Sequence, residues 1–450
     1  MVTRRRPGRS RELPGTATPL PDVTALLAPF QRDQRHLFRG SMLNIGGFLL
    51  RMASRVPFLL IAGQLYGTAR YGEYVLATAL IESAAVIGNF GFKLTLFRFL
   101  HEAEAERSAE QVMRHVLTLT LGLGLVLAAT LWAASGPLAL LFGMPGAAPK
   151  IAFLAWVIPA IVLTDLLLAA TWAKRVVHFE VIARSLIEPA TLTVVSFALY
   201  FLGYPEMGLP VAFATGFACA AVAATVAFAR CYSLSALLRG PLHGRYLVHL
   251  ARRSASTSLH DIIALLFNRI DVLLVGYFFD NAAVGLYGMA QQFLTVMEKV
   301  TLSFSPVLIP VLTEALKSRD VPRARHQLFA VARRIVAMQT PIVFVFLAAG
   351  PFLLSLIGPG FVKAWGILMV LTLGAWANGA LGLSEFALLS IRPLANPQAS
   401  VLRLALYAAV VVPFQSVWGP VGIALANVIA TLAANCMRTL VCRPAFRALA

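Results

Sequence analysis

The sequence predicts an all-α polytopic membrane protein with about twelve transmembrane helices, set as two six-helix bundles around a central cavity. Three observations predict this. Of the 450 residues, 59% are hydrophobic and 13% charged, whereas a soluble domain carries about 25% charged residues. The mean hydropathy is +0.77, and apolar runs of about 20 residues, each long enough to cross about 30 Å of hydrocarbon, recur from residue 40 to the C-terminus. The third observation is internal repetition. RVPFLLIAGQLYGTARYGEYVLA from Arg55 aligns without gaps on NRIDVLLVGYFFDNAAVGLYGMA from Asn268, an offset of 213, and SGPLALLFGMPG from Ser135 resembles AGPFLLSLIGPG from Ala349, an offset of 214.

Along the chain, residues 1–40 read as a basic disordered tail, because MVTRRRPGRSRELPG leads into prolines and polar residues rather than into the short apolar core and cleavage site of a signal peptide. Twelve spans follow, at roughly 41–66, 73–97, 113–134, 150–172, 182–203, 209–230, 254–279, 284–313, 325–349, 364–390, 396–414 and 419–441. This divides the chain into the tail 1–40, an N-terminal bundle 41–232, a cytoplasmic linker 233–253 and a C-terminal bundle with a short tail 254–450. Basic residues fix the orientation. Most cluster on the side of the N-terminus, as at Arg98, Arg107, Lys174, Arg239, Arg245, Arg252, Arg253, Arg319, Arg392, Arg403 and Arg438, and the other side holds Arg70, Lys150 and Lys363. Both termini are therefore expected in the cytoplasm, in an inner (plasma) membrane protein. An even number of spans per repeat makes the repeats parallel about an axis along the membrane normal, the plan of transporters that bind cargo between halves near the midplane.

Ionisable residues in hydrocarbon cost about 2.5–3.5 kcal/mol each on insertion scales, so they are expected to face a cavity or a partner. Arg51 and Arg55 are an i,i+4 pair on span 1; Glu82, Asn89 and Lys93 share one face of span 2, and Glu82 and Arg55 lie at similar depth. Span 7 carries Asp261, Asn268, Arg269 and Asp271, and span 8 carries a polar stripe of Gln291, Gln292, Thr295, Glu298, Lys299 and Ser303. Two readings stay open for these charges. Arg55 with Glu82, and Arg269 or Lys299 with Glu298 or Asp271, are either ion pairs that join helices or ligands in a wet cavity. Arg184 with Glu188 reads as a structural i,i+4 pair. Asp165, without an evident partner in sequence, and Glu385 are candidates for proton or cation coupling, together with Glu82, Asp271 and Glu298. Two arginines in a span without an acid favour an anionic cargo, since guanidinium stays charged and matches phosphate oxygens in bidentate geometry.

Other classes are excluded or disfavoured. Cys219, Cys231, Cys436 and Cys442 lack metal-ligand or CxxC spacing and read as packing residues. The net charge of +18 lies between apolar runs and reads as topology rather than nucleic-acid binding. GxxxxGK[ST], HExxH and GxSxG do not occur, so neither an enzyme nor a nucleotide-driven pump is expected, and no cofactor or metal. The histidines near loops, His115 and His243 among them, read as solvated, and His260 beside Asp261 as a packing residue or a proton relay. Short outer loops argue against an extracytoplasmic catalytic domain.

The segments LYGTARYGEYVLA, NFGFKLTLFRFL, NRIDVLLVGYFFDNAAVGLYGMA and LIGPGFVKA resemble the polysaccharide biosynthesis family of lipid-linked oligosaccharide flippases, Wzx-type members of the multidrug/oligosaccharidyl-lipid/polysaccharide exporter superfamily. The resemblance implies transport of an undecaprenyl-pyrophosphate-linked glycan from the cytoplasmic to the outer leaflet, driven by an ion gradient or the membrane potential. It assigns the pyrophosphate to Arg51, Arg55, Arg269, Lys93 and Lys299. Glycan hydroxyls are expected to meet Gln64, Asn89, Asn268, Gln291 and Gln292. The implied partners are the lipid-linked oligosaccharide, membrane lipids, and a glycan polymerase with export machinery, the transporter itself being a monomer. A multidrug or cation antiporter of the same superfamily, and a non-transporting scaffold for glycan assembly, are the competing readings.

Overall fold

The computed structural model describes residues 53–449 apart from 104–107, 175, 177, 240, 318–320, 386, 387 and 389–394. The basic tail and Arg51 lie outside the described residues, as do the side chains of Asn268 and His260. The described chain is helical throughout. A first helix, α1, runs over 53–61 and continues as a π-helical turn, Ala62–Tyr66. Then come α2 (Gly67–Asn89), α3 (Phe92–Ala103), α4 (Ala109–Ala133), α5 (Ser135–Leu141), α6 (Ala148–Ala155), α7 (Ile158–Ala173), α8 (His178–Phe201) and α9 (Pro205–Cys231). A short α10 (Leu234–Leu238) leads into α11 (Gly244–Phe278), α12 (Asn281–Lys317), α13 (Val321–Ile357), α14 (Trp365–Leu381), α15 (Ala395–Trp418) and α16 (Pro420–Leu449).

Among the described residues seven helices are long and apolar enough to cross a membrane, or up to eight when α6 and α7, bent by 45° at their junction, count as one span. The fold is therefore an all-α, multi-span membrane protein. Helices α2, α11 and α12 are long but carry the charged and amide side chains, and they pack on one another. The 37 residues of α12 extend about 55 Å at 1.5 Å per residue, well beyond a hydrocarbon core of about 30 Å.

Local chemistry sets the breaks. Phe90 (φ 48°) and Gly91 (φ 73°) turn the chain between α2 and α3, so the single span expected over 73–97 is two helices, and Lys93 lies beyond the turn from Glu82 and Asn89. Gly91 is required twice over, because a Cβ there would also run into Ser254 and Ser258 of α11. Ser108 caps α4, its hydroxyl accepting from the Gln111 amide at 3.3 Å. Gly203 (φ 88°) and Gly419 (φ 60°) precede Pro205 and Pro420, each at the first position of its helix. The helix expected from residue 254 begins ten residues earlier, at Gly244.

The repeat register reappears in three dimensions. Pro145–Ala147 and Pro359–Ala364 both form 3₁₀ turns, starting 214 residues apart. Where α2 crosses α12, a Cβ on Gly72 would strike the backbone of Asn281 and Gly285, and one on Gly285 would strike the backbone of Thr68 and Gly72. At an offset of 213, Thr68 aligns with Asn281 and Gly72 with Gly285, so this crossing maps onto itself when the repeats are exchanged. Only glycine lets two helix backbones come this close.

Candidate functional site

Three polar clusters stand out within the bundle. The first joins α2, α3, α7 and α8 around Asp165, which is not solitary as the sequence suggested. Its carboxylate accepts from Asn89 Nδ2 at 2.9 Å, pairs with Lys93 Nζ at 3.2 Å and pairs with Arg184. Arg184 also meets Glu188 at 3.0 Å and stacks 5.1 Å from the Phe217 ring. Arg184 sits in a π-helical segment of α8, Val181–Ile187. Such a segment breaks the regular backbone ladder, and here the Ser185 carbonyl accepts from Ser54 Oγ of α1 at 2.8 Å. Asn89 and Lys93 are thus engaged by Asp165, and Arg184 is buried rather than part of a solvated loop.

The second cluster lies between α1, α2, α11 and α12. Arg55 is half-buried and its charge reaches the Tyr71 and Tyr74 hydroxyls of α2. Among the described residues Arg55 has no ion-pair partner. Of the two readings open for Arg55 and Glu82, the ion pair between them does not form: Glu82 pairs with Arg269 of α11. Arg269, Lys299 and Arg403 lie within electrostatic reach of the Glu298 carboxylate of α12, which stands one turn beyond Thr295 and about two turns beyond Gln291 and Gln292, all three half-buried. Gln64 departs from this group; it is exposed and donates to the Leu356 carbonyl at 2.8 Å, near the α2–α12 crossing.

The third cluster surrounds Asp271, 1% exposed. The expected arginine or lysine pairing gives way to hydrogen bonds: Tyr287 donates at 2.9 Å, Tyr407 at 2.5 Å, and Asn427 Nδ2 donates as well. Arg403 donates to Asn427 Oδ1 at 2.9 Å, so one amide links a guanidinium to the carboxylate. The cluster ties α11, α12, α15 and α16 together. Farther along α16, Arg438 pairs with Glu385 at 3.2 Å and donates to Asn435 at 2.8 Å. Arg403 and Arg438, assigned to the linker side from their sequence position, are enclosed by helices because α16 presents Asn427, Thr431, Asn435 and Arg438 on one face.

At the ends of the bundle other charges are also occupied. Lys150, 4% exposed, pairs with Glu73 and lies 3.7 Å from Glu206, which Arg70 meets at 2.7 Å. Asn281 donates to Glu73 at 2.7 Å. On the linker side Arg114 is buried and donates to the carbonyls of Ala236 and Leu237. His115 is buried rather than solvated: Nε2 accepts from the His243 amide at 3.0 Å, leaving Nδ1–H to donate to Gln111 O at 2.7 Å.

Sequence reasoning did not single out Tyr287, Tyr407, Asn427 or Arg403. The signal for one of them was present in the repeat, where Asp271 aligns with Phe58 and Tyr287 with Tyr74. In space Phe58 and Tyr74 meet ring to ring, centroids 5.9 Å apart. The same pair of positions holds an aromatic contact in one repeat and a carboxylate–phenol contact in the other.

A family model described as polysaccharide biosynthesis protein matches residues 64–364. The chain belongs to that family. The match spans all of α2 and α11–α13, hence the first cluster, the second apart from Arg55 and Arg403, and Asp271 and Tyr287 of the third. Solved structures with the same fold include lipid II flippase MurJ in an inward closed conformation, at 14% identity and TM-score 0.71 over 90% of each chain. An inward-facing multidrug resistance MATE family transporter of the MOP superfamily shares 15% identity at TM-score 0.74, covering 90% of this chain and 95% of that one. A MOP superfamily transporter from Pyrococcus furiosus, whose binding pocket has reversed polarity, shares 16% identity at TM-score 0.63, covering 91% and 95%. No curated protein sequence matches the chain. The chain thus shares its fold with these MOP-superfamily transporters.

Proposed function

We propose that the protein carries a polyprenyl-pyrophosphate-linked oligosaccharide from the cytoplasmic to the outer leaflet by alternating access between its two repeats, for polysaccharide export. The observation that carries this reading is the second cluster. Arg55, without an ion-pair partner among the described residues, and Arg269, ion-paired with Glu82, are both part-exposed between α1, α2 and α11. Guanidinium groups in such a setting suit a pyrophosphate, and the polyprenyl tail stays in lipid beside the helices. Membership in a polysaccharide biosynthesis family supports a glycan cargo. Gln291 and Gln292, half-buried on α12, lie on the face that would meet sugar hydroxyls.

The linker around Arg239 and Arg245 then lies in the cytoplasm of an inner-membrane protein, with a glycan polymerase and export machinery receiving the product. Asp271 is the foremost coupling residue, because it is the most enclosed carboxylate of the C-terminal repeat, with Glu298 and Glu385 closer to water. A multidrug antiporter is the second reading, favoured by the MATE likeness and by that same buried acid.

Purified protein in vesicles, assayed for leaflet exchange of a pyrophosphate-linked glycan, tests the proposal. Exchange is expected in the native chain and a loss of at least about tenfold, or 1.4 kcal/mol, in Arg55→Gln. Unchanged exchange in that variant would remove the arginine reading, and cation efflux unaffected by it would favour the antiporter.

A further inference from the structure

We infer that Glu82 is a place-holder for the cargo: between transport events its carboxylate occupies Arg269, and the pyrophosphate displaces it. The inference rests on the pyrophosphate reading above and adds to it a residue that competes with the passenger.

Four observations carry it. The Glu82 and Arg269 side chains are 28% and 36% exposed, so packing does not close either of them in, in contrast with the Asp165–Arg184 pair at 12% and 11%. An accessible pair gains little from its own contact and exchanges partners readily. Second, Arg55, Glu82 and Glu188 all lie within electrostatic reach of Tyr74; Glu188 is already paired with Arg184, so Glu82 is the carboxylate near both guanidinium groups assigned to the cargo. Third, the fold does not need an acid at this position. The repeat equivalent of Glu82 is Thr295, whose hydroxyl bonds back to the Gln291 carbonyl of its own helix at 3.0 Å. Fourth, a pyrophosphate offers more charge and more oxygens than one carboxylate, and so competes well for a guanidinium.

Two consequences follow. Arg269 is ready for cargo only in the fraction of molecules where the pair is open, which weakens apparent affinity by that fraction. Return of Glu82 to Arg269 then expels the pyrophosphate once the site faces the far leaflet.

The test is binding of undecaprenyl pyrophosphate without sugar to the full-length chain in lipid nanodiscs. Glu82→Gln is expected to bind about 3- to 10-fold more tightly than the native chain and to exchange leaflets more slowly. In an Arg269→Gln background the same Glu82→Gln change is expected to gain nothing, since its competitor's target is gone. A Glu82→Asp chain, whose shorter arm loosens the pair, should also bind more tightly and serves if the Gln variant does not fold. Equal or weaker binding in both Glu82 variants, or an undiminished gain without Arg269, overturns the inference. If the native chain itself fails to bind the probe, the pyrophosphate reading falls. If it binds and Arg269→Gln weakens it while the Glu82 variants do nothing, only the place-holder role falls.

Discussion

Asp271 shows how a carboxylate survives inside the bundle: two phenols and an amide donate to it, and Arg403 stands behind the amide. Removing one donor, in Tyr407→Phe, should cost about 1–2 kcal/mol and lower the unfolding temperature modestly. Asp271→Leu strands three donors and a guanidinium at once and should cost about 3 kcal/mol or more, with a correspondingly larger drop in the same melt. The two lysine and arginine partners of Glu206 offer a second comparison at this scale. Lys150 is enclosed with Glu73, whereas Arg70 and Glu206 are 41% and 64% exposed. Lys150→Gln leaves a buried carboxylate short of its partner and is expected to destabilise by about 3–5 kcal/mol, but Arg70→Gln by no more than about 1 kcal/mol. Equal melting temperatures for the two variants would show that Glu73 is not held by the lysine.

At the scale of the helix, the crossing of α2 with α12 is the tightest feature. Gly72→Val or Gly285→Val places side-chain atoms where the neighbouring backbone stands, so the helices must part. Overpacking of this kind costs about 1–3 kcal/mol, to be read as a lowered unfolding temperature, with increased accessibility of Glu73 to carboxyl-modifying reagents. Much at this scale was legible beforehand, because apolar length and period survive in any window of sequence; α4 and α9 fall within four residues of their expected spans, and α16 starts one residue from its own. The breaks at Phe90–Gly91 and at the α6–α7 bend, where Pro159 opens α7, were not, since a lone glycine or proline inside an apolar run reads equally as part of one continuous span. Partner choice was the least legible. Depth arguments placed Arg55 opposite Glu82, but which of several arginines reaches a given acid depends on helix rotation, and rotation is set by packing between distant segments. Asp165 illustrates this: its cations come from α3 and α8, one beyond a turn and the other in a π-helical segment, neither visible as a spacing.

At the scale of the whole molecule, the two repeats share a register but not a chemistry. Where the second repeat holds Asp271 against Tyr287, the first holds Phe58 against Tyr74, and where the first holds Glu82 the second has Thr295. Duplication therefore supplies the scaffold, and divergence supplies the polarity that a directional cycle needs. Removing that unshared charge should remove the direction: on the proposed reading, Asp271→Asn is expected to leave leaflet exchange of the glycan lipid in place while abolishing its response to an imposed ion gradient, both measured in the same vesicles.

The glycine crossing has a mechanical corollary. Backbone resting on backbone has no long side chain to swing aside and admit a trickle, so that end of the molecule is either sealed or wholly parted, a toggle instead of a valve with intermediate settings. Empty protein reconstituted into vesicles should accordingly hold a proton gradient as long as bare lipid does, and the Gly72→Val chain should let it decay.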